Sequence, residues 1–246
     1  MKLRQAPTKT FHFQTDWILF EDDDLIVANK PSGLLSVPGR LPENKTSLVT
    51  LLENYCQHPL HIVHRLDMDT SGIMVIAKHK TALRHLNQQF QNRQTFKRYE
   101  AICAGIAERQ KGRIHLPMRC DWENRPRQII DCRNGKHTHT EWVVRHQFDN
   151  AFEVSLIPLT GRSHQLRVHM KMLGHPILGD NLYADAHSLQ TASRLLLHAA
   201  ELHFQHPTHQ QLMTFCQPGS LTTFMKTTSK NGTLPAFTSA NLLTHS

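Results

Sequence analysis

The sequence predicts a mixed α/β fold of the α+β kind, a mainly antiparallel mixed sheet with helices and loops inserted between its strands. Three observations lead there. Short β-prone runs recur along most of the 246 residues, helical periodicity surfaces in three separated windows, and no repeat of solenoid length is present. Strands and helices do not alternate one for one, as a doubly wound parallel sheet requires. No linker divides the chain, so residues 17–219 read as one domain between a short leader, 1–16, and a tail, 220–246.

The elements follow in order. Residues 1–16 are polar and read as a loose leader. Trp17-Ile18-Leu19-Phe20 and Leu25-Ile26-Val27-Ala28 are apolar runs separated by Glu21 to Asp24, which gives a strand, a turn and a strand. Lys30-Pro31-Ser32-Gly33 breaks the second strand, and Pro38-Gly39 breaks the next segment. Ser47 to Cys56 carries Leu48, Leu51, Leu52 and Tyr55 at helical spacing. Residues 73–77 are an apolar strand. Thr81 to Gln94 is a second helix, with Leu83, Leu86 and Phe90 on one side. Phe96 to Ala104 is a strand with Tyr99, Ala101 and Cys103 on one face. Arg127 to Cys132 and Thr138 to Val144 read as strands joined by an Asn134-Gly135 hairpin turn. Phe152 to Leu159 is strand-like. Ser163 to Leu173 is the third helix, with Ser163 as a plausible cap, Leu166, Met170 and Leu173 as its stripe, and Gly174 as its stop. Leu195 to Phe204 and Leu212 to Cys216 read as closing strands. From Ser220 the composition turns to Thr, Ser, Asn and Lys, a disordered tail.

Bulk properties narrow the function. Net charge is +8 with the 19 His neutral, and the pI is about 9.4. Such a balance favours a polyanionic partner, most simply nucleic acid, while a basic protein without one stays open. The five Cys are scattered without a Cys-x-x-Cys pair. That argues against a disulfide framework or zinc ribbon and for a reducing compartment. The N-terminus lacks the apolar core of a signal peptide, and no apolar run approaches a membrane span. The cytoplasm is the expected location.

Chemistry concentrates in three stretches. His64-Arg65-Leu66-Asp67-Met68-Asp69-Thr70-Ser71-Gly72 is a polar turn leading into a buried strand, which fixes the polar groups while the turn exposes them. Asp67 and Asp69 suggest the paired carboxylates of a glycosidase, yet positions two apart on an extended segment point to opposite sides. Both acids also suit a plain turn. Lys97-Arg98-Tyr99 lies on a strand, where Tyr is most often a core residue. Leu159 to Met170, with Gly161, Arg162, His164, Arg167 and His169, is the richest basic stretch and also fits a phosphate-binding helix face. His137 with His139 and His164 with His169 raise metal binding, but no His-Glu-x-x-His or Cys/His ligand set occurs, so no metal is expected.

His64-Arg65-Leu66-Asp67 followed by Thr70-Ser71-Gly72 resembles the signature of the RluA-type pseudouridine synthases, seven letters fixed in a window of nine. Lys97-Arg98-Tyr99 and the stretch around Arg167 resemble the family's second and third motifs, in the same order. The likeness runs from Trp17 to about Pro218. Asn29 to Arg40 and Asp121 to Pro126 are similar to short members that lack an N-terminal S4 domain. The resemblance implies the pseudouridine synthase fold, with a central RNA-binding cleft. It implies Asp67 as the nucleophile, with Asp69 at a variable position. It gives Arg65 a part in extruding the target nucleotide, sets Tyr99 against the flipped uracil, and makes Arg167 the partner of Asp67. Leu178 to Tyr183 and Arg194 to Ala199 also fit family sequence, as structural stretches. The implied partners are RNA, namely the tRNA anticodon stem-loop and a hairpin of 23S ribosomal RNA. No cofactor or membrane is implied, and a monomer is expected. A non-catalytic RNA-binding module and a glycosidase or nucleosidase are the alternatives.

Overall fold

The structure, a computed structural model, describes residues 10–39, 41 and 45–225. Its first strands are β1 (Ile18–Glu21), β2 (Leu25–Lys30), β3 (His61–Ile62), β4 (Ser71–Ala77), β5 (Phe96–Ala104) and β6 (Lys111–His115). There follow β7 (Met118–Cys120), β8 (Gln128–Ile130), β9 (His139–Gln147), β10 (Ala151–Pro158), β11 (Leu197–Gln205) and β12 (Leu212–Cys216). The helices are α1 (Leu48–Cys56), α2 (Lys80–Gln91), α3 (Gln165–Met172) and α4 (Ala186–Gln190). One sheet runs in the order β1-β2-β4-β11-β5-β10-β9-β6, with β3 on β4 and β12 on β11. All its pairs are antiparallel except β4 with β11. The expected mixed, mainly antiparallel sheet is therefore what forms. No helix among the described residues is long and apolar enough to cross a membrane.

The centre of the sheet is apolar on both faces, which explains its unbroken hydrophobic runs. Ile26, Ala28, Met74 and Ile76 face α1 through Leu48 and Leu52. Leu25, Val27, Ile73 and Val75 face α2 through Ala82 and Leu86. The capping box of Ser47 with Thr50 starts α1 one residue later than its periodicity suggested. A third cluster joins β5, β10 and β11 to Leu166 and Met170 of α3.

One row of the register crosses seven strands: Lys30, Gly72, Ala199, Tyr99, Leu156, Trp142 and Gly112. Gly72 is required at its place in this row. Its φ is +116°, and a Cβ there would strike the backbone of Ala199.

Several elements differ from the sequence expectation. Trp17 closes a 3-10 turn, Thr15–Trp17, so β1 starts one residue later. Lys30 ends β2 and is fully buried, where the sequence suggested a break. The Asn134-Gly135 turn does not join two paired strands. β8 pairs with β7 in a separate two-stranded ribbon, and β9 pairs with β6 and β10. The cause is Asp131, whose Oδ1 accepts the N–H groups of Arg133 and Asn134 and folds the chain back on itself. Ser163 does not cap α3. His164 occupies that place in the left-handed region (φ 56°), and Leu173 is 41% exposed, not part of the buried stripe. Within the segment read as leader, Phe11 and Phe13 pack on the α1 cluster. Of the segment read as tail, Leu221–Phe224 form a 3-10 turn with Leu221 in the core, and residues 226–246 lie outside the described residues.

Candidate active site

Asp67 owes its position to the segment before α1. Ser36 Oγ donates to Leu66 O at 2.7 Å and accepts the Leu66 N–H at 3.1 Å. Gly33 N donates to Met68 O, and Ser32 Oγ to Asp69 O, at 2.9 and 2.7 Å. The buried Lys30 Nζ donates to Pro31 O, Leu34 O and Met68 O at 2.9, 2.6 and 2.9 Å. Three carbonyls match the three protons of an ammonium group. Burial pushes Lys30 down to about 7, Asp69 and Asp67 pull it up, and Arg194 pushes it further down. The acidic turn is thus fastened through its backbone, and none of these bonds engages the Asp67 or Asp69 carboxylate. The turn closes with Thr70 N donating to Asp67 O at 3.2 Å.

Behind the turn, His64 Nε2 accepts the Val75 N–H at 3.1 Å, and its ring stacks on Phe90. Burial, with Lys97 nearby, pushes His64 down to about 3, so it is a neutral structural residue. Ser71 Oγ accepts from Arg194 Nη1 and sits 2.8 Å from His198 Nδ1, while His198 Nε2 meets Gln217 O at 2.8 Å. The Arg194 to Ala199 stretch therefore braces the start of β4.

Asp67 is a quarter exposed and meets two groups from the α3 region. Arg167 Nη1 lies 3.7 Å from its Oδ2, and His164 Nε2 lies 3.9 Å from its Oδ1. Arg167 is 2% exposed and forks onto the fully buried Asp180, Nε to Oδ2 at 2.8 Å and Nη2 to Oδ1 at 2.7 Å. Burial opposes the charge of Arg167, but the bonds and field of Asp180, with Asp67 and Asp69 behind, raise its pKa overall. Asp180 Oδ1 also accepts the N–H groups of Leu182 and Tyr183. Arg167 Nη2 donates to Asn181 Oδ1, and Asn181 Nδ2 donates to Asp69 Oδ2, at 3.1 Å each. The two acids thus have different partners, Asp67 on Arg167 and Asp69 on Asn181.

Tyr183 Oη accepts the Gln128 N–H at 2.7 Å, which leaves its own proton for His164 Nδ1, also 2.7 Å away. The Nε2 proton of His164 then points toward Asp67. Burial holds His164 below its usual range against the upward pull of Asp67.

Tyr99 sits at mid-strand between Ala199 and Leu156, and burial, then the Asp67 charge, pushes its hydroxyl up. Arg65 is exposed. The structure therefore brings Asp67, Tyr99 and Arg167 to one place, with Arg65 on the open side of the turn. Sequence reasoning passed over Lys30, His164 and Asp180 as site residues. Gly179-Asp180-Asn181 was the available signal for the last, but it specified no partner.

The histidine pairs do not form a ligand set. His169 is buried, with Nε2 2.7 Å from Thr138 Oγ1 and Nδ1 2.9 Å from Thr140 Oγ1. Among the described residues, Asp22, Asp24 and His206 hold ligand-type atoms within 4.8 Å of one another. They lie at the far end of β2 from Lys30. His206 Nδ1 accepts the N–H groups of Thr208 and His209, so Nε2 carries the proton that reaches Asp22 Oδ2 at 2.7 Å. A ring so committed offers an N–H at Nε2, not a lone pair, and the group is a hydrogen-bonded cluster.

This geometry was compared with known proteins. A sequence model described as RNA pseudouridylate synthase matches residues 24–172. The dual-specificity RNA pseudouridine synthase RluA of Vibrio cholerae is 48% identical over 201 residues, 82% of each chain. That of Escherichia coli is 50% identical over 209 residues, 83% of this chain and 94% of that one. Among solved structures, human RNA pseudouridylate synthase domain containing 1 superposes with a TM-score of 0.72 at 27% identity, covering 94% of both chains. Human RNA pseudouridylate synthase domain containing 4 gives 0.66 at 29% identity, covering 85% of this chain and 91% of the other.

Proposed function

From the premise that this chain belongs to the RNA pseudouridylate synthase family and is an isomerase acting on RNA, we propose that Asp67 is its nucleophile. The observation that supports this reading is the half-sheltered Asp67, held through its backbone and faced by the buried Arg167. The reaction breaks the bond from ribose carbon 1′ to the ring nitrogen of uracil. The base turns in place, carbon 5 bonds to the ribose, and carbon 5 gives up its proton while the freed ring nitrogen takes one up, so the product is an isomer of equal mass. Asp67 attacks either the sugar or carbon 6 of the ring, its bond to the substrate breaks again as the product forms, and both routes need one ionised carboxylate with a fixed cation beside it. Arg167 is that cation, and Asp180 holds it in place.

The base must leave the RNA stack first, which is least costly in a loop. Arg65, on the exposed side of the turn, supports the extruded nucleotide. Tyr99, with its hydroxyl kept protonated, covers the base and reaches toward carbon 5. The resemblance implies the substrates, a uridine in the tRNA anticodon stem-loop and one in a 23S ribosomal RNA hairpin, and the relatives' dual specificity is consistent with two. The reading takes the enzyme as a cytoplasmic monomer working without cofactor or metal.

The test is Asp67→Asn with an anticodon stem-loop RNA. Binding should persist while pseudouridine formation vanishes. Turnover by this variant overturns the role of Asp67, and release of free uracil from the wild type would mark a nucleosidase instead.

A further inference from the structure

The basic stretch that leads into α3 reads in sequence as a face for phosphates, but His164 within it is not turned to solvent. Its side chain is only 11% exposed, and its backbone holds the left-handed position that starts α3. Its two ring nitrogens have different neighbours. Nδ1 lies 2.7 Å from Tyr183 Oη, and Nε2 lies 3.9 Å from Asp67 Oδ1. The charged groups around the ring are Asp67 and Asp69 of the turn, Arg167 of α3, and Asp180. The Gln128 N–H closes the far side of Tyr183.

Two arguments place the ring proton. Tyr183 Oη already accepts the Gln128 N–H, and burial pushes this hydroxyl up to about 12, so it keeps a proton to donate to Nδ1. The opposite tautomer would aim the Nε2 lone pair at a carboxylate. Burial holds His164 below its usual range, ahead of the upward pull of Asp67, so the ring is neutral at pH 7. Such a donor has a use beside Asp67. Arg167 Nη1 faces Oδ2 at 3.7 Å, and a contact at one oxygen leaves the carboxylate free to turn about its Cβ–Cγ bond. A donor at the other oxygen stops that turn without adding a second full charge, which would weaken the nucleophile. Both gaps exceed a hydrogen bond, and contacts of this kind tighten once substrate fills a site.

We propose that His164 is a positioning residue for the reaction: its Nε2–H, fixed by Tyr183, holds Oδ1 of Asp67 while Arg167 holds Oδ2, so the carboxylate meets the uridine in one rotation. This rests on the reading of Asp67 as the nucleophile and adds the group that orients it. The effect belongs to the chemical step, so loss of His164 lowers kcat and leaves KM in place, whereas loss of a phosphate-binding histidine would raise KM.

The experiment compares wild type, His164→Asn, His164→Gln and Tyr183→Phe on an anticodon stem-loop RNA. Asn suits the left-handed backbone but is too short to reach Asp67, while Gln carries an amide N–H about as far out as Nε2. His164→Asn should lower kcat about tenfold to a hundredfold with KM little changed, and His164→Gln should recover most of that loss. Tyr183→Phe frees Nδ1 to take a second proton, so its kcat should fall as pH is lowered from about 8 to about 6, where wild type stays level. Nitrogen NMR of isotope-labelled histidine reads the ring without turnover. The His164 signals, assigned by their loss in His164→Asn, should show the Nε2–H tautomer and should shift in Asp67→Asn. An unchanged kcat in His164→Asn, a loss confined to KM, or a Gln variant no better than the Asn variant overturns the proposal. So does the opposite tautomer, or a ring that ignores Asp67→Asn. Failure of the wild type to make pseudouridine would instead strike the functional reading, while the ring signals would still report whether His164 holds Asp67.

Discussion

Asp180 shows how much one side chain can decide at this site. Its carboxylate is fully buried and holds Arg167, which is nearly as deep. Removing one member of such a pair leaves a buried charge without compensation, so Asp180→Ala should cost about 3–5 kcal/mol of stability in urea unfolding. Replacing both partners with apolar residues should restore much of that stability and none of the activity. Two glycines make a matched test. Gly72→Ala places a methyl group into the Ala199 backbone at a φ of +116°, and the expected outcome is a sharply lowered melting temperature or no soluble protein. Gly161, in the basic loop before α3, has nothing within 4 Å of the position of a Cβ. Gly161→Ala should leave the melting temperature within a few degrees of wild type. Any loss of RNA affinity would then mark that space as one the substrate enters.

Among the elements, the segment from Lys30 to Ser36 is the one that holds the turn carrying Asp67. It reads in sequence as a break between strand and helix, and in the fold its polar groups bond to the backbone of Leu66, Met68 and Asp69. Ser36→Ala removes both bonds to Leu66 and should cost about 1–2 kcal/mol. Because Asp67 is the next residue, kcat should fall as well, and amide exchange should quicken across residues 66–70. Unchanged exchange there would show that the other clamps suffice. The apolar periods that mark α1, α2 and the central strands were readable, because they report burial on one face or on both. The partner of β8 was not readable, because an Asx turn at Asp131 and a hairpin at Asn134-Gly135 use the same residue types.

For the whole molecule, buried histidines set the acid limit. Burial pushes His64 down to about 3 and His169 to about 4, from an ordinary value of 6.5. Between those values and 6.5 the unfolded chain binds protons that the native chain does not. The stability is therefore complete above about pH 6.5 and declines as pH falls toward 4, at roughly 1 kcal/mol per pH unit for each histidine once the unfolded form is protonated. Urea midpoints measured from pH 7 to pH 4.5 should show this slope, and His64→Gln or His169→Gln should flatten it. A midpoint that stays level across that range would mean both rings are protonated in the native state.

The linear sequence was enough to determine the class of fold, the basic character, the motif that carries Asp67, and the family. These depend on residue type and short spacing, which a chain displays before it folds. Only the tertiary structure decided that Arg167 is shared between Asp67 and a buried Asp180, and that Lys30 turns inward onto the turn that carries Asp67. Those relations join residues from 13 to 100 positions apart. The field, burial and hydrogen-bond partners that give them meaning exist only once the sheet has brought the distant segments together.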